Sequence, residues 1–431
     1  MKVQLLEDEI LNAMSLQKQY NILNNNLMLL LSDEDKTFME ELQALCLAKD
    51  EEIGGVPGHN NADVYEWFPW AGKHGLVNRT NEYPHRDDLK IGLKTEILRQ
   101  WTMDIFNPQF SMALGASVLC INPIAHHYKE NENPSALQKD LEGLLDGTKI
   151  GCIGITEPER GSDAVNMTVK AEKADGGTII NGIKCYTTNS PKADFCAVYA
   201  VYNPEDPRGT MMQGISHKDW DRGFKAERLG IPSVGKMYIG KTIFEESFIP
   251  SDYITGDDGK GYEILFEGLV PERIGIAAAA IGNMWGAFTL ASIYSTVRKQ
   301  FGTPPGTTKI IMHQAVGMSV LAKYHARLSI ATMALLKLAE TYDEKKDDLA
   351  HLPATMNPLV ATASHMKEYC AYLNHEICYE LMHAMGGTGV TDQTKMPHHQ
   401  GISEISEVVG GTRNVQLLIG SRTINTMVKM S

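Results

Sequence analysis

The chain changes its hydrophobic rhythm twice. Near the start, Leu5, Leu6, Ile10, Leu11, Met14 and Leu16 precede an Asn24-Asn25-Asn26 run. This pattern predicts a short amphipathic helix over residues 1–30, ahead of the main body. Ser32 and Asp35 are placed for a capping box, and Phe38, Leu42 and Leu45 follow at helical spacing. Residues 50–62, rich in Gly, Pro, Asn and Asp, read as a loop. From Val64 to about Asp146 the pattern is mostly helical, broken at Pro84, Pro108, Pro123 and Pro134. Residues 151–255 differ. Thr168 to Lys173, Thr178 to Ile180, Cys185 to Thr188, Ala193 to Tyr202 and Lys241 to Ile249 read as strands. Asp175-Gly176-Gly177 and Asn181-Gly182 are turn signals between them, and Pro250 ends the last. From Gly261 the helical pattern returns. Ala277 to Ala280, then Met284, Ala287, Leu290 and Ile293, begin a long helix. Leu321 to Leu338, Pro358 to Met385 and Asn414 to Val428 supply more, which suggests an antiparallel bundle. The charged run Asp343 to Asp348 reads as a solvated loop or helix end. The expected fold class is α+β: an extension (1–30), an N-terminal α-helical domain (31–150), a middle β-domain (151–260) and a C-terminal α-helical bundle (261–431).

Composition narrows the function. A chain of 431 residues can bury a large core and divide into roughly two or three domains. A net charge of −13 argues against nucleic acid or an anionic membrane as the main partner. An acidic total leaves room for a local basic pocket. Seven cysteines without a C-x-x-C pair point to a reducing compartment, and to neither a disulfide framework nor a metal site. The adjacent pairs His126-His127 and His398-His399 read as surface or polar-loop histidines. Neither a secretory signal pattern nor an apolar run of membrane-spanning length stands out, so a cytoplasmic protein is the simplest reading.

Two stretches carry candidate chemistry. The first is Gly154-Ile155-Thr156-Glu157-Pro158-Glu159-Arg160-Gly161-Ser162-Asp163. Proline fixes the turn, and Gly161 lets backbone approach a ligand without a Cβ in the way. Backbone N–H groups with the Thr156 and Ser162 hydroxyls can hold a flat polar ring and a phosphate. The second is Asn181-Gly182-Ile183-Lys184-Cys185-Tyr186-Thr187-Thr188-Asn189. Together, T-E-P-x-x-G-S-D and N-G-x-K-x-[aromatic]-x-T-N resemble the acyl-CoA dehydrogenase family of flavoproteins. The resemblance continues, in family order, at Arg298 to Gly302, at His313 to Val316 and at Met385 to Gly389.

The resemblance implies a fold of N-terminal α-helical domain, middle β-barrel-like domain and C-terminal four-helix bundle, with FAD as cofactor. Ile155, Thr156 and Gly161 would line the flavin. Thr156 would bond its pyrimidine side, and Ser162 the pyrophosphate and the substrate. Tyr186 stands where tryptophan is usual, against the flavin face, and Thr188 lies at N5. Arg298, Phe301, His313 and Gln314 resemble the segment that reaches the ADP half of a neighbouring subunit's FAD; Arg298 offers a planar fork for pyrophosphate. Gly386 and Gly387 resemble a glycine pair at the same cofactor, with His383 in place of the family glutamine. Thr412 and Asn414 complete the expected cofactor set. An insertion, residues 303–309, lengthens this part. The shared site implies a homo-oligomer, a dimer of dimers.

The family reaction takes an α-proton from an acyl-CoA while the β-hydride goes to flavin N5. Most members carry the base in a Tyr-Glu-Gly-Thr motif near the C-terminus. Here the chain reads Val409-Gly410-Gly411-Thr412, and Gly410 carries no carboxylate. A second location, as in the isovaleryl-CoA branch, lies before an arginine at the start of a small-residue helix. This chain has Pro271-Glu272-Arg273-Ile274-Gly275 there. Glu272 is therefore the expected base, with a raised pKa. Arg273 would orient it or support the CoA side, with Gly411 beside the substrate. Pro271 fits a first helical position or a kink. The missing side chain at Gly410 points to a bulky acyl group: branched, cyclic or aryl. Asp104, Glu404 and Glu407 read as solvated or capping carboxylates. The implied acceptor is an electron-transferring flavoprotein. Two alternatives stay open: non-oxidative or atypical chemistry on CoA esters in the same fold, and a DNA-associated stress-response flavoprotein, which the acidic charge disfavours.

Overall fold

A computed structural model describes residues 8–77, 92–130, 135–257 and 259–430. Leu5, Leu6, Pro84 and Pro134 lie outside the described residues, as do the side chains of His126 and His127. The chain forms two compact units. One comprises Met1–Ala62, Leu93–Ser111 and Val270–Ser431; the other comprises Asp63–Gly92 and Met112–Leu269.

In the helical unit, the N-terminal segment forms helices Asp8–Ala13 and Leu16–Leu27. Leu16, Tyr20, Leu23 and Leu27 are buried at helical spacing, and the Tyr20 hydroxyl donates to the Thr102 carbonyl at 2.9 Å. The segment is thus part of the core. Helix Asp33–Ile53 opens on the expected capping box of Ser32 and Asp35. The loop expected over residues 50–62 is a correction. The helix runs to Ile53, Gly54 and Gly55 take left-handed φ values of 82° and 65°, and a second helix spans Gly55–Asn61. The glycines turn a corner between helices.

Helices Lys323–Leu349, Pro358–Met385, Met396–Ser406 and Arg413–Met430 follow the 38-residue helix Lys260–Val297. The charged run Asp343 to Asp348 forms the end of helix Lys323–Leu349, mostly exposed, as expected. By length and composition Lys260–Val297 could cross a membrane, which corrects the reading that no run is long enough. Of its most apolar stretch, 89% is buried, as in a core helix.

The sheet unit holds β1 (Gly151–Gly154), β2 (Lys170–Ala174), β3 (Gly177–Thr188), β4 (Phe195–Val201), β5 (Met211–His217), β6 (Lys225–Arg228), β7 (Ile239–Pro250) and β8 (Ile254–Gly256). They form one mixed sheet in the order β6-β7-β3-β2-β4-β5-β8, with β1 beside β4. The β1–β4 pair is parallel, in register from Gly151↔Phe195 to Gly154↔Val198. The turn at Asp175-Gly176 closes the β2–β3 hairpin as expected. Asn181-Gly182 does not turn the chain. β3 runs through it beside β7, the register shifts between Ile180 and Gly182, and the result is a bulge. Cys152, Val169, Ile180, Cys196, Val198 and Phe244 belong to the core that fixes where β1 and β3 end.

Candidate active site

The turn after β1 is tied directly to β3. The Cys185 N–H donates to the Thr156 carbonyl at 2.8 Å, one residue before Tyr186. Beneath the turn, Glu157 accepts from the Thr168 N–H and hydroxyl, both at 2.7 Å, from the Val169 N–H at 2.8 Å and from Lys184 Nζ at 2.9 Å. Lys184 also donates to the Ile155 carbonyl at 2.9 Å. Burial opposes the Glu157 charge, but Lys184, Thr168 and Val169 hold its pKa below the usual carboxylate value. Glu157 and Lys184 are therefore the clamp between the two sequence motifs. Sequence reasoning quoted both residues and gave neither a role.

The other motif residues stay accessible. Gly161 and Ser162 are exposed, and no atom lies within 4 Å of a Cβ built at Gly161. Tyr186 is 68% exposed and holds φ at 55°. A left-handed aromatic residue costs about 1 kcal/mol or more. Such a residue, left uncovered, fits a face kept for a ligand. Thr156 and Thr188 are half-buried hydroxyls beside it. Arg160, also unassigned by the sequence, has a buried Nε with no hydrogen-bond partner among the described residues. An open aromatic face, three hydroxyls and a glycine turn fit a flat cofactor with a diphosphate, as FAD is.

In the helical unit, Arg298 follows the long helix and its Nε is buried without a hydrogen-bond partner among the described residues. Lys299 and Lys309 bridge antiparallel, so the insertion 303–309 projects as a narrow exposed hairpin. Phe301, 70% exposed with φ 56°, meets His313 edge-on at 5.3 Å. His313 Nε2 is buried with no hydrogen-bond partner among the described residues, and Gln314 is exposed. Gly386 and Gly387 are exposed and face open space. His383 is exposed, against Tyr379 at 5.2 Å. Thr412 is half-buried and Asn414 exposed at the start of the last helix.

The candidate base lies in the same unit. Pro271 sits inside the helix Lys260–Val297, not at its first position. One residue on, Glu272 Oε1 is 3.4 Å from the position a Cβ at Gly410 would take. Ile276 Cδ1 overlaps that position. Gly410 and Gly411 have φ values of 60° and 86°. Lys367, fully buried, donates to the carbonyls of Glu407 at 3.2 Å and Gly411 at 2.8 Å. Gln416 Nε2 donates to the carbonyls of Gly410 at 2.9 Å and Gly411 at 3.0 Å. Burial raises the Glu272 pKa, against the pull of Arg273 and Lys367. Burial lowers the Arg273 pKa, and its Nε has no hydrogen-bond partner among the described residues. Lys367 is brought down to about 8 by burial, against Glu407 and Glu272. Glu272 makes no ion pair among the described residues. Glu272, Arg273, Gly410 and Gly411 are thus brought together around Lys367, which the sequence did not single out.

Two other expectations are corrected. Asp104 is not solvated. It is 2% exposed with Oδ2 unpartnered, and burial raises its pKa well above the usual value, against Ser111 and Arg99. His399 is not a surface residue. It is fully buried, with Nδ1 2.8 Å from Asn283 Oδ1. Glu404 is exposed as expected, 3.4 Å from His375.

The sheet unit carries an open aromatic-faced turn, and the helical unit a half-buried glutamate that makes no ion pair among the described residues; the comparisons with known proteins give the class of protein. Residues 152–245 match the acyl-CoA dehydrogenase middle domain, and residues 259–425 the acyl-CoA dehydrogenase C-terminal domain. The short-chain specific acyl-CoA dehydrogenase of Clostridium acetobutylicum is 30% identical, over 71% of this chain and 75% of its own. The mitochondrial isovaleryl-CoA dehydrogenase of Oryza sativa subsp. japonica is 27% identical, over 72% of this chain and 70% of its own. Butyryl-CoA dehydrogenase from Megasphaera elsdenii shares the fold, with a TM-score of 0.78 and 23% identity over 91% of this chain and 98% of its own. The chain belongs to the acyl-CoA dehydrogenase family. It is an oxidoreductase acting on CH–CH bonds, and its cofactor is FAD.

Proposed function

We propose that the protein oxidises an acyl-CoA thioester to the 2,3-enoyl-CoA, with Glu272 as the base that takes the α-proton. The observation that carries this is the Glu272 carboxylate lying 3.4 Å from the missing Cβ of Gly410. The chain lacks a glutamate rooted at 410, and a carboxylate from another helix reaches the same backbone. Burial without an ion pair raises its pKa, which suits a group that must hold the substrate proton. FAD supplies the hydride acceptor at N5. Thr156, Ser162, Tyr186 and Thr188 hold the flavin and its pyrophosphate, and Arg273 supports the CoA side. Arg298, Phe301, His313, Gln314, Gly386 and Gly387 serve the FAD of a second copy of the chain.

Exposed Leu417, Leu418, Ile424 and Met427 on the last helix, with Tyr369 and Tyr372, support assembly into a homo-oligomer, a dimer of dimers. An electron-transferring flavoprotein is the proposed acceptor and the cytoplasm the proposed compartment. The functional division follows residues 1–30, 31–150, 151–260 and 261–431. For the acyl group, Ile276 weakens the argument from size. It occupies the position a side chain at 410 would start from, so a missing side chain there does not by itself make room for a branched, cyclic or aryl ester.

The test is an anaerobic titration of the purified flavoprotein with straight, branched, cyclic and aryl acyl-CoA esters, following the oxidised flavin band and the product mass. Bleaching with loss of two hydrogens is expected. Glu272→Gln should slow it by about 10²–10⁴-fold. Equal bleaching in that variant would remove Glu272 as the base. Turnover without bleaching would point to non-oxidative chemistry.

A further inference from the structure

A buried lysine stands behind this site. We propose that Lys367 is a positioning residue for the reaction: it anchors the backbone of residues 407–411 beside Glu272 and supplies the positive charge that favours the carboxylate form of that base. The proposal rests on the reading of Glu272 as the base.

Lysine is almost never fully buried unless paired. Lys367 is fully buried in the middle of helix Pro358–Met385, yet it makes no ion pair among the described residues. Its hydrogen-bond partners are two backbone carbonyls, those of Glu407 and Gly411. Holding the loop does not require a charge. Gln416 already holds the Gly410 and Gly411 carbonyls with a neutral amide. A buried ammonium that only held carbonyls would cost desolvation for a task an amide performs. What the ammonium adds is a field.

The charged groups facing Lys367 are Glu407, Glu272, Arg273 and Glu368. Arg413 already engages Glu368 at 2.6 Å. Glu407 and Glu272 are both half-buried, and both face the lysine. Glu272 is the one whose carboxylate oxygen lies 3.4 Å from the Cβ position of Gly410, and the groups that face it in turn are Arg273 and Lys367. The effect has a definite sign. A positive neighbour favours the carboxylate, so removing it raises the pH at which Glu272 becomes ionised. A base works only when deprotonated. The acid limb of kcat/KM must therefore move to higher pH when the charge is lost.

The experiment compares wild type with Lys367→Arg, Lys367→Gln and Lys367→Met, all as FAD-loaded protein. Two readouts are taken against pH: the acid limb of kcat/KM, and the protonated-carboxyl infrared band assigned to Glu272 by its absence in Glu272→Gln. Both midpoints should rise by about half to one pH unit in the Gln and Met variants, and stay in place in the Arg variant. Unmoved midpoints in folded Gln and Met variants would overturn the proposal. So would failure of both neutral variants to fold while Lys367→Arg folds, because the charge would then serve the structure. If Glu272→Gln retains full turnover, the base assignment fails on its own, and the infrared midpoint still reports whether Lys367 acts on Glu272. If Glu272→Gln is inactive and the midpoints stay put in the neutral Lys367 variants, only the role of Lys367 falls.

Discussion

In the sheet unit, Glu157 and Lys184 are buried in direct contact at 2.9 Å, and Glu157 accepts three further hydrogen bonds from Thr168 and Val169. In the helical unit, half-buried Glu272 and fully buried Lys367 lie near enough to affect one another but share no ion pair among the described residues. The first carboxylate has its pKa lowered; the second has its pKa raised. The residue types are the same and the outcome for the carboxylate is opposite, while burial lowers the pKa of both lysines. Contact with a cation and three hydrogen bonds keeps the first carboxylate charged and fixes the backbone around it. A carboxylate held apart from its lysine stays closer to its neutral form, which is the condition for moving protons near neutral pH. The sheet unit spends its glutamate on holding the turn that carries Thr156 and Ser162. The helical unit keeps its glutamate available.

The largest expected effect is in the closed pair. Lys184→Met leaves Glu157 buried without its cation and should destabilise the protein by about 3–5 kcal/mol in denaturant unfolding. Glu272→Gln should cost no stability at neutral pH, because it removes a charge that makes no ion pair among the described residues. The pH dependence separates the two sites further. Glu157 has a lowered pKa, so its stabilisation is present above the unfolded carboxylate pKa and is lost as pH falls. Glu157→Gln should therefore be less stable than wild type at neutral pH, the gap closing on acidification. Glu272 has a raised pKa, so ionising it costs stability as pH rises. Glu272→Gln should be equal or more stable at neutral pH, that gap also closing on acidification but from the other side. Gaps of the same sign would break the comparison.

A smaller effect is expected from returning a carboxylate to the loop. Gly410→Glu places a side chain at φ 60° and drives its Cβ into Ile276 Cδ1. The expected cost is about 2 kcal/mol, with part recovered by Ile276→Ala in the same chain. The base should not transfer from 272 to 410 by a single substitution. If Gly410→Glu is as stable as wild type and rescues Glu272→Gln, the helical site is more forgiving than its packing shows.

How much of this was legible depends on range. The helix Pro358–Met385 was read to the residue, because its signals are local: Asn357 caps its start and Gly386 ends it. The Asn181-Gly182 turn was misread because β7 pairs with β3 on both sides of it, and a non-local ladder overrides a local turn preference. β5 went unread because Gln213 and Ser216 are buried polar residues in a strand, which spoils the apolar pattern. At the site, the cofactor motifs were legible because their spacing is local. The clamp role of Glu157 and Lys184 was not, since it joins residues far apart in sequence. Lys367 gave no signal: a lysine in a long helix looks like a solvent-facing residue until the loop it meets is known.

The smallest effect tests whether the closed character of the sheet unit extends beyond its charged pair. Tyr65 is 5% exposed, and its hydroxyl donates to Asn189 Oδ1 at 2.8 Å and accepts from the Tyr238 N–H at 3.0 Å. Asn189, fully buried with φ 71°, follows Thr188 and donates through Nδ2 to the carbonyls of Ala113 at 2.8 Å and Gly151 at 3.2 Å. Tyr65→Phe keeps the ring and deletes the hydroxyl, leaving a buried acceptor and a backbone N–H short of a partner. The expected loss is about 1–2 kcal/mol of stability. Because this network holds the end of β3 and moves no proton, the bleaching rate with an acyl-CoA ester should stay within about twofold of wild type once FAD is bound. A rate loss as deep as that of Glu272→Gln, with stability unchanged, would place proton chemistry in the sheet unit and erase the division of labour between the two glutamates.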